Sequence, residues 1–247
     1  MDNLSIKKIQ INGHENSFHY RSTSDGDLGV IGQVLDGKCF NIERWHQGRV
    51  ARAFYNSCIS QHKTPLIIDA GANIGASSLY FANLYENSKI CAIEPEMNNI
   101  RILKENTRSF NVDVVEGGLG KISGELFLQD PGLGDWGFRV GSNNESGVSV
   151  PITTIENLLD RYGDLQPFIL KIDIEGGELD LFSESSNDWF SKFPVIIFET
   201  HDWMLPFHGV SMGLIKIAAM GNYDVIFHGE NLFFFNHLSL LPHHNPF

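Results

Sequence analysis

The 247-residue sequence predicts an α/β fold: a doubly wound, mostly parallel sheet of seven strands with helices on both faces and an antiparallel last strand. Three observations predict it. From residue 65 onward, short β-branched apolar runs alternate with segments whose apolar residues recur at helical spacing, the pattern of successive βαβ units. The first four runs are almost wholly apolar, as strands covered on both faces must be. The last two are separated only by His228-Gly-Glu-Asn231, too short for a parallel crossover, so they form a hairpin that reverses the final strand.

Taken in order, residues 1–60 read as an N-terminal cap, with strands at 6–11, 18–22 and 30–40 and a helix at 42–59. The main domain is expected over 61–247, its strands at 66–69, 89–94, 112–115, 168–173, 195–198, 223–227 and 232–235. Helices are expected at 75–85, 96–108, 177–185 and 211–220. Residues 117–150 form an insert rich in Gly, Ser and Asn, a composition that suits a lid or substrate loop and equally a plain surface excursion.

Eighteen Lys+Arg against 30 Asp+Glu give a formal charge of -12, a field that repels phosphodiester backbones and anionic headgroups, so no nucleic-acid partner is expected. No apolar run reaches the roughly 18 residues of a membrane span. The N-terminus shows no secretory h-region, and Cys39, Cys58 and Cys91 lack any CxxC spacing, so a cytoplasmic protein without disulfides or structural zinc is expected. The C-terminal His237, His243 and His244 match no zinc pattern.

The chemistry concentrates at strand ends. Asp69-Ala-Gly71-Ala72-Asn73-Ile-Gly75 turns the first sheet strand into a helix; Gly71 permits close ligand approach and Gly75 opens the helix toward the ligand with its N–H groups. The spacing is GxxxG rather than the GxGxxG of a dinucleotide site, and suits a zwitterionic tail held by backbone N–H groups and the Asp69 carboxylate. One βα unit later, Ala92-Ile-Glu94-Pro95 places an acid where it can accept ribose hydroxyls. Lys171, Asp173 and Glu175 alternate on one face of a strand, and Glu178 falls in a first helical turn as a capping acid. Glu199 and His201 stand two apart at the end of the next strand, followed by Trp203, which could wall a pocket.

These residues resemble the FkbM-type family of S-adenosylmethionine-dependent class I methyltransferases. The resemblance lies in Asp69-Ala-Gly-Ala-Asn-Ile-Gly75, Ala92-Ile-Glu-Pro95, Leu170-Lys-Ile-Asp-Ile-Glu-Gly-Gly-Glu-Leu179 and Phe198-Glu-Thr-His201, over roughly residues 65–237. It implies a Rossmann-like sheet, S-adenosylmethionine as cofactor, and O-methylation of a hydroxyl on a small molecule or glycan. It further implies a cofactor site at Asp69, Gly71, Ala72, Asn73, Gly75, Glu94, Pro95, Gly117 and Asp173. For catalysis His201 is expected as general base oriented by Glu199, with Asp173 as the rival base and Lys171 as its charge partner.

No metal is expected, although Asp173, Glu175, Glu199 and His201 form a donor set that Mg²⁺ or Mn²⁺ accepts. Two other functions stay open on the residues: a nicotinamide-dependent oxidoreductase, which the glycine spacing disfavours, and a non-catalytic nucleoside-binding protein. Oligomeric state, including a homodimer, is open as well.

Overall fold

In the computed structural model, which describes residues 4–129, 139–141, 148–174, 181–182, 187–202 and 206–244, the chain opens with a hairpin. Its strands β1 (Ser5–Ile11) and β2 (His14–Tyr20) are joined by Asn12 and Gly13, both at positive φ, as a tight two-residue hairpin turn demands. Helix α1 (Asp25–Val30) follows, capped by Ser24 Oγ accepting the Asp27 N–H at 3.2 Å, and runs on as a π-helical turn over Ile31–Asp36. Where a strand is expected at 30–40, residues 30–36 are therefore helical and 37–40 form a turn. The β-branched Val30, Ile31 and Val34 suit a strand by propensity, but Ile31, Val34 and Leu35 share one helical face and bury it in the core, and that packing decides. Helix α2 (His46–Ser60) completes the N-terminal segment.

The main sheet begins with β3 (Pro65–Ala70), helix α3 (Ala76–Leu84), β4 (Lys89–Glu94), helix α4 (Met97–Thr107) and β5 (Val112–Glu116). The insert contributes β6 (Gly118–Leu119), β7 (Gly124–Gln129), β8 (Arg139–Gly141) and β9 (Ser149–Thr153), which pair as a small separate sheet. After α5 (Ile155–Arg161) come β10 (Gln166–Ile172), β11 (Val195–Glu199), α6 (Met212–Met220), β12 (Tyr223–His228) and β13 (Asn231–Asn236). The strand order is β12-β13-β11-β10-β3-β4-β5, with β13 antiparallel to both of its neighbours and the other pairs parallel. All seven expected sheet strands are present. The helix expected at 177–185, and with it Glu175, Glu178 and Trp203, lies outside the described residues apart from Leu181 and Phe182. Among the described residues no helix is long and apolar enough to cross a membrane.

Alternation along the central strands feeds two cores. Ile67, Ile90, Ile169, Ile197, Phe233 and Phe235 point to one face and pack under α2, α3 and the N-terminal segment. Ile68, Cys91, Leu170, Ile196, Phe198 and Phe234 point to the other, under α5 and α6. Phe168 anchors the first core, stacked on Phe54 with centroids 6.0 Å apart and edge-on to Tyr85 at 5.0 Å. Phe168→Ala should therefore cost about 3–5 kcal/mol and lower the Tm by on the order of 10 °C. Phe227→Ala, at an exposed position of β12, should leave it within a degree or two; thermal unfolding followed by circular dichroism compares the two.

Candidate functional site

β3 and β10 are parallel neighbours, but the chain leaves them toward opposite edges of the sheet, so their C-terminal ends border a crevice. A cavity of about 370 Å³ lies there, the size of a small-ligand site. Its floor is the loop after β3 and the ends of β4, β10 and β11. Its opposite wall comes from the N-terminal segment, through Gly29, Val30, Gln33 and Phe40 among others.

The loop after β3 is tightly folded, with Gly71, Asn73 and Gly75 all at positive φ. Gly71, Ala72 and Asn73 line the cavity. Their amides do not offer the free cradle expected of them. Gly71 and Ala72 N–H both donate to Ile93 O at 3.0 Å, Asn73 N–H to Glu94 Oε2 at 2.9 Å, and Gly75 N–H to Ala72 O at 2.8 Å. The loop thus meets a ligand with its backbone surface. The glycines also answer to the protein itself: a Cβ on Gly71 would stand 1.6 Å from Asp173 O, and one on Gly75 would stand 2.7 Å from Leu103 Cδ1. Gly71 is what lets the ends of β3 and β10 touch. Gly75 packs α3 against α4 and is not on the cavity wall.

Glu94, at the end of β4, is buried and faces the cavity together with Pro95. Its Oε1 accepts from Glu96 N–H at 3.0 Å and Asn99 Nδ2 at 3.4 Å, while Oε2 accepts one protein donor, Asn73 N–H. Capacity on Oε2 remains for a ligand hydroxyl. Burial pushes the carboxyl up to about 7 against the pull of these hydrogen bonds. Gly117 and Leu119, just beyond β5, close this end of the cavity.

Asp69 is placed differently from the expectation. It is wholly buried and off the cavity wall; its Oδ2 accepts from Ser77 Oγ and Ser78 Oγ, both at 2.6 Å, and its Oδ1 lies 3.1 Å from Lys171 Nζ. The Lys171 ammonium also donates to Gly71 O at 3.0 Å and sits 3.3 Å from Asp173 Oδ2. Burial alone would lower its proton affinity, but Asp69 and Asp173 outweigh this and hold it above the ordinary lysine range. Lys171 is accordingly a fixed cation that orients Asp173, with no capacity to act as a base.

Asp173 then faces His201: Oδ1 is 3.6 Å from Nε2 of the buried imidazole, an ion-pair distance longer than a hydrogen bond. Glu199 joins them, with donor atoms of Asp173, Glu199 and His201 all within 4.8 Å of one another. Burial, and then the Asp173 charge, push Glu199 up to about 8. Asp173 stands at ion-pair distance from the ring, and the Glu199 expected beside it belongs to the same cluster. Three more lining groups went unread. Asn99 sits in the first turn of α4, Glu230 in the β12–β13 turn, where its carbonyl accepts the Thr200 N–H just past Glu199, and Cys39 in the N-terminal segment, its thiol pushed up to about 12 by burial and by Glu199. The β13 register could have placed Glu230; nothing local announces Cys39.

The family model of the methyltransferase FkbM domain matches residues 69–237 of this chain. Methyltransferase 1 of Beauveria bassiana (strain ARSEF 2860) is 27% identical over a 160-position alignment that covers 55% of this chain and 64% of that protein. Among solved structures, methyltransferase FkbM from Methylobacillus flagellatus KT aligns with TM-score 0.48 and 17% identity over 70% of this chain and 43% of its own. Precorrin-6y C5,15-methyltransferase from Geobacter metallireducens GS-15 aligns with TM-score 0.38 and 15% identity, covering 70% of this chain and 78% of that one. The chain spans less than two thirds of the length of the Beauveria protein and of the Methylobacillus structure.

The close approach at Gly71 sets an expectation. Gly71→Ala should unfold the chain or lower its Tm by well over 10 °C, since the added carbon meets the Asp173 backbone carbonyl and not a movable side chain. Ala72→Gly, beside it, should cost only about 1 kcal/mol. Equal, small losses in thermal unfolding would show that the β3 and β10 ends are not held this tightly.

Proposed function

The chain belongs to the FkbM methyltransferase family, and we propose that it transfers a methyl group from S-adenosylmethionine to a hydroxyl of a small molecule or glycan. One observation carries this reading: the glycine-loop backbone, the buried Glu94 and the Asp173–His201 pair line a single cavity at the strand ends. The residues suit the cofactor, because Glu94 keeps acceptor capacity for a ribose and Ile93, Pro95 and Leu119 give apolar cover for a base. When bound, S-adenosylmethionine supplies a methyl on a positively charged sulfur, open to in-line attack.

The chain's own residues position and deprotonate. Gly71 and Ala72 bound the space for the donor's amino-acid tail, and Asp69 acts at one remove, through Lys171. Asp173, turned by Lys171, orients the acceptor hydroxyl and stabilises the imidazolium that forms when His201 Nε2 takes its proton. Glu199, its carboxyl pushed up to about 8, stands beside them mainly protonated at neutral pH and adds negative charge only above it. Among the described residues the acceptor end carries Asp173, Glu230 and, above neutral pH, Glu199, against Lys171, whose charge Asp69 and Asp173 already balance. Such a wall favours a neutral or cationic acceptor over a phosphate or carboxylate.

Calorimetry with S-adenosylhomocysteine, against NADH as the competing nucleotide, tests the donor. Glu94→Ala should weaken S-adenosylhomocysteine about ten- to a hundredfold, and unchanged affinity would remove the assignment. With a labelled donor and a panel of hydroxylated acceptors, His201→Ala should cut turnover on the order of 10²–10⁴-fold at nearly constant donor affinity. Wild-type turnover should climb with pH as the Asp173–Glu199–His201 cluster loses a proton, and that limb should vanish in the variant; a variant that keeps both rate and limb passes the role to Asp173. Transfer should also persist in EDTA, because Lys171 already neutralises Asp173; loss in EDTA with recovery in Mg²⁺ or Mn²⁺ would instead make Asp173, Glu199 and His201 metal ligands.

A further inference from the structure

Arg21 lies in the N-terminal segment, between β2 and α1, far in sequence from the cavity floor. Its guanidinium clasps Asp27 through Nε at 3.0 Å and a terminal nitrogen at 2.6 Å, and its backbone N–H donates to the same carboxylate at 2.7 Å. A pair with Asp27 would suffice to neutralise that buried acid. Yet the same terminal nitrogen also reaches Asn99 Oδ1 at 2.7 Å, across 78 positions of sequence.

That contact has a chemical consequence. A guanidinium only donates, so it fixes which end of the Asn99 amide faces it: Oδ1 toward Arg21, Nδ2 away. Nδ2 then donates to Glu94 Oε1 at 3.4 Å, alongside Glu96 N–H, so that Oε1 carries two protein donors and Oε2 one. Were the amide reversed, its oxygen would face the carboxylate. The same segment supplies Gly29, Val30 and Gln33 to the cavity, and it is tied to α4 a second time by His19 N–H on Asn106 Oδ1 at 2.7 Å.

We propose that Arg21 is a positioning residue for the methyl donor: through Asn99 it saturates one Glu94 oxygen, turns the other to the ribose, and locks the N-terminal segment in place as the wall over the nucleoside. The proposal rests on the donor assignment above. Among the described residues Glu96 opposes the ionisation of Glu94; the Arg21–Asp27 pair stands behind Asn99, and Glu116, the register partner of Glu94 on β5, is paired with Lys104. Losing the Arg21 link removes a donor from the ionised carboxylate, which should bind its proton more tightly and accept ribose hydroxyls less well at neutral pH.

Calorimetric titration with S-adenosylhomocysteine from pH 6 to 9 tests this. Wild-type affinity should rise with pH as Glu94 ionises near 7 and then level off. Arg21→Met should weaken binding about tenfold at pH 7 and move the limb to higher pH, and Arg21→Lys, which keeps the charge but cannot span both Asp27 and Asn99, should fall between. Asn99→Leu, which leaves the Arg21–Asp27 pair intact, should reproduce both effects, and the double variant should be no worse than either single one. Should Arg21→Met fail to fold, Asn99→Leu decides alone. Wild-type affinity and an unmoved limb in Asn99→Leu, or in Arg21→Met with a lowered Tm, would make the contact purely structural and overturn the proposal. Failure of the wild-type chain to bind S-adenosylhomocysteine at any pH would instead sink the donor assignment itself.

Discussion

The structure depends on one buried cation. Taking an ammonium out of water costs several kcal/mol unless the protein replaces its hydration, and Lys171 is surrounded by the Asp69 and Asp173 carboxylates and the Gly71 carbonyl. Those partners come from the ends of two different strands. Satisfying the ammonium therefore fastens β3 to β10 where the chain diverges, and the crevice between them becomes a cavity with a rigid floor. Gly71 completes the fastening by letting the loop after β3 lie against the Asp173 carbonyl.

From that knot the chemistry extends in two directions. Toward β11, the charge on Lys171 fixes Asp173, which faces His201 and Glu199, so the proton-handling cluster is placed by a residue that handles no proton itself. Toward β4, the loop that Lys171 holds turns Asn73 N–H onto Glu94, the acid at the nucleoside end. Asp69 serves both arms through Lys171 and through the Ser77 and Ser78 hydroxyls that seat the first turn of α3.

What could be read from the sequence was what short-range patterns encode. The sheet strands were legible because burial on both faces leaves an unbroken apolar run, and the reversed β13 because four residues cannot cross a sheet. Glu94, Asp173, Glu199 and His201 were legible because strand ends in this topology converge on one place. The helix over residues 30–36 was misread because β-branched residues carry strand propensity until a core claims one helical face. Asp69 and the loop amides were assigned to the ligand because their internal partners, Lys171 and Ile93, are invisible until the strands are paired. Arg21 and Asn99 gave no signal at all, since their contact joins segments 78 residues apart.

The central claim is that the donor's nucleoside and the proton-accepting cluster occupy opposite ends of one cavity floored by the Lys171 knot. A crystal structure of the chain grown with S-adenosylhomocysteine tests it most directly. The account predicts ribose hydroxyls within hydrogen-bonding distance of Glu94, the thioether sulfur beside Gly71, and the open face of that sulfur turned toward Asp173 and His201. A nucleoside bound away from Glu94, or a sulfur facing away from the Asp173–His201 pair, would contradict it.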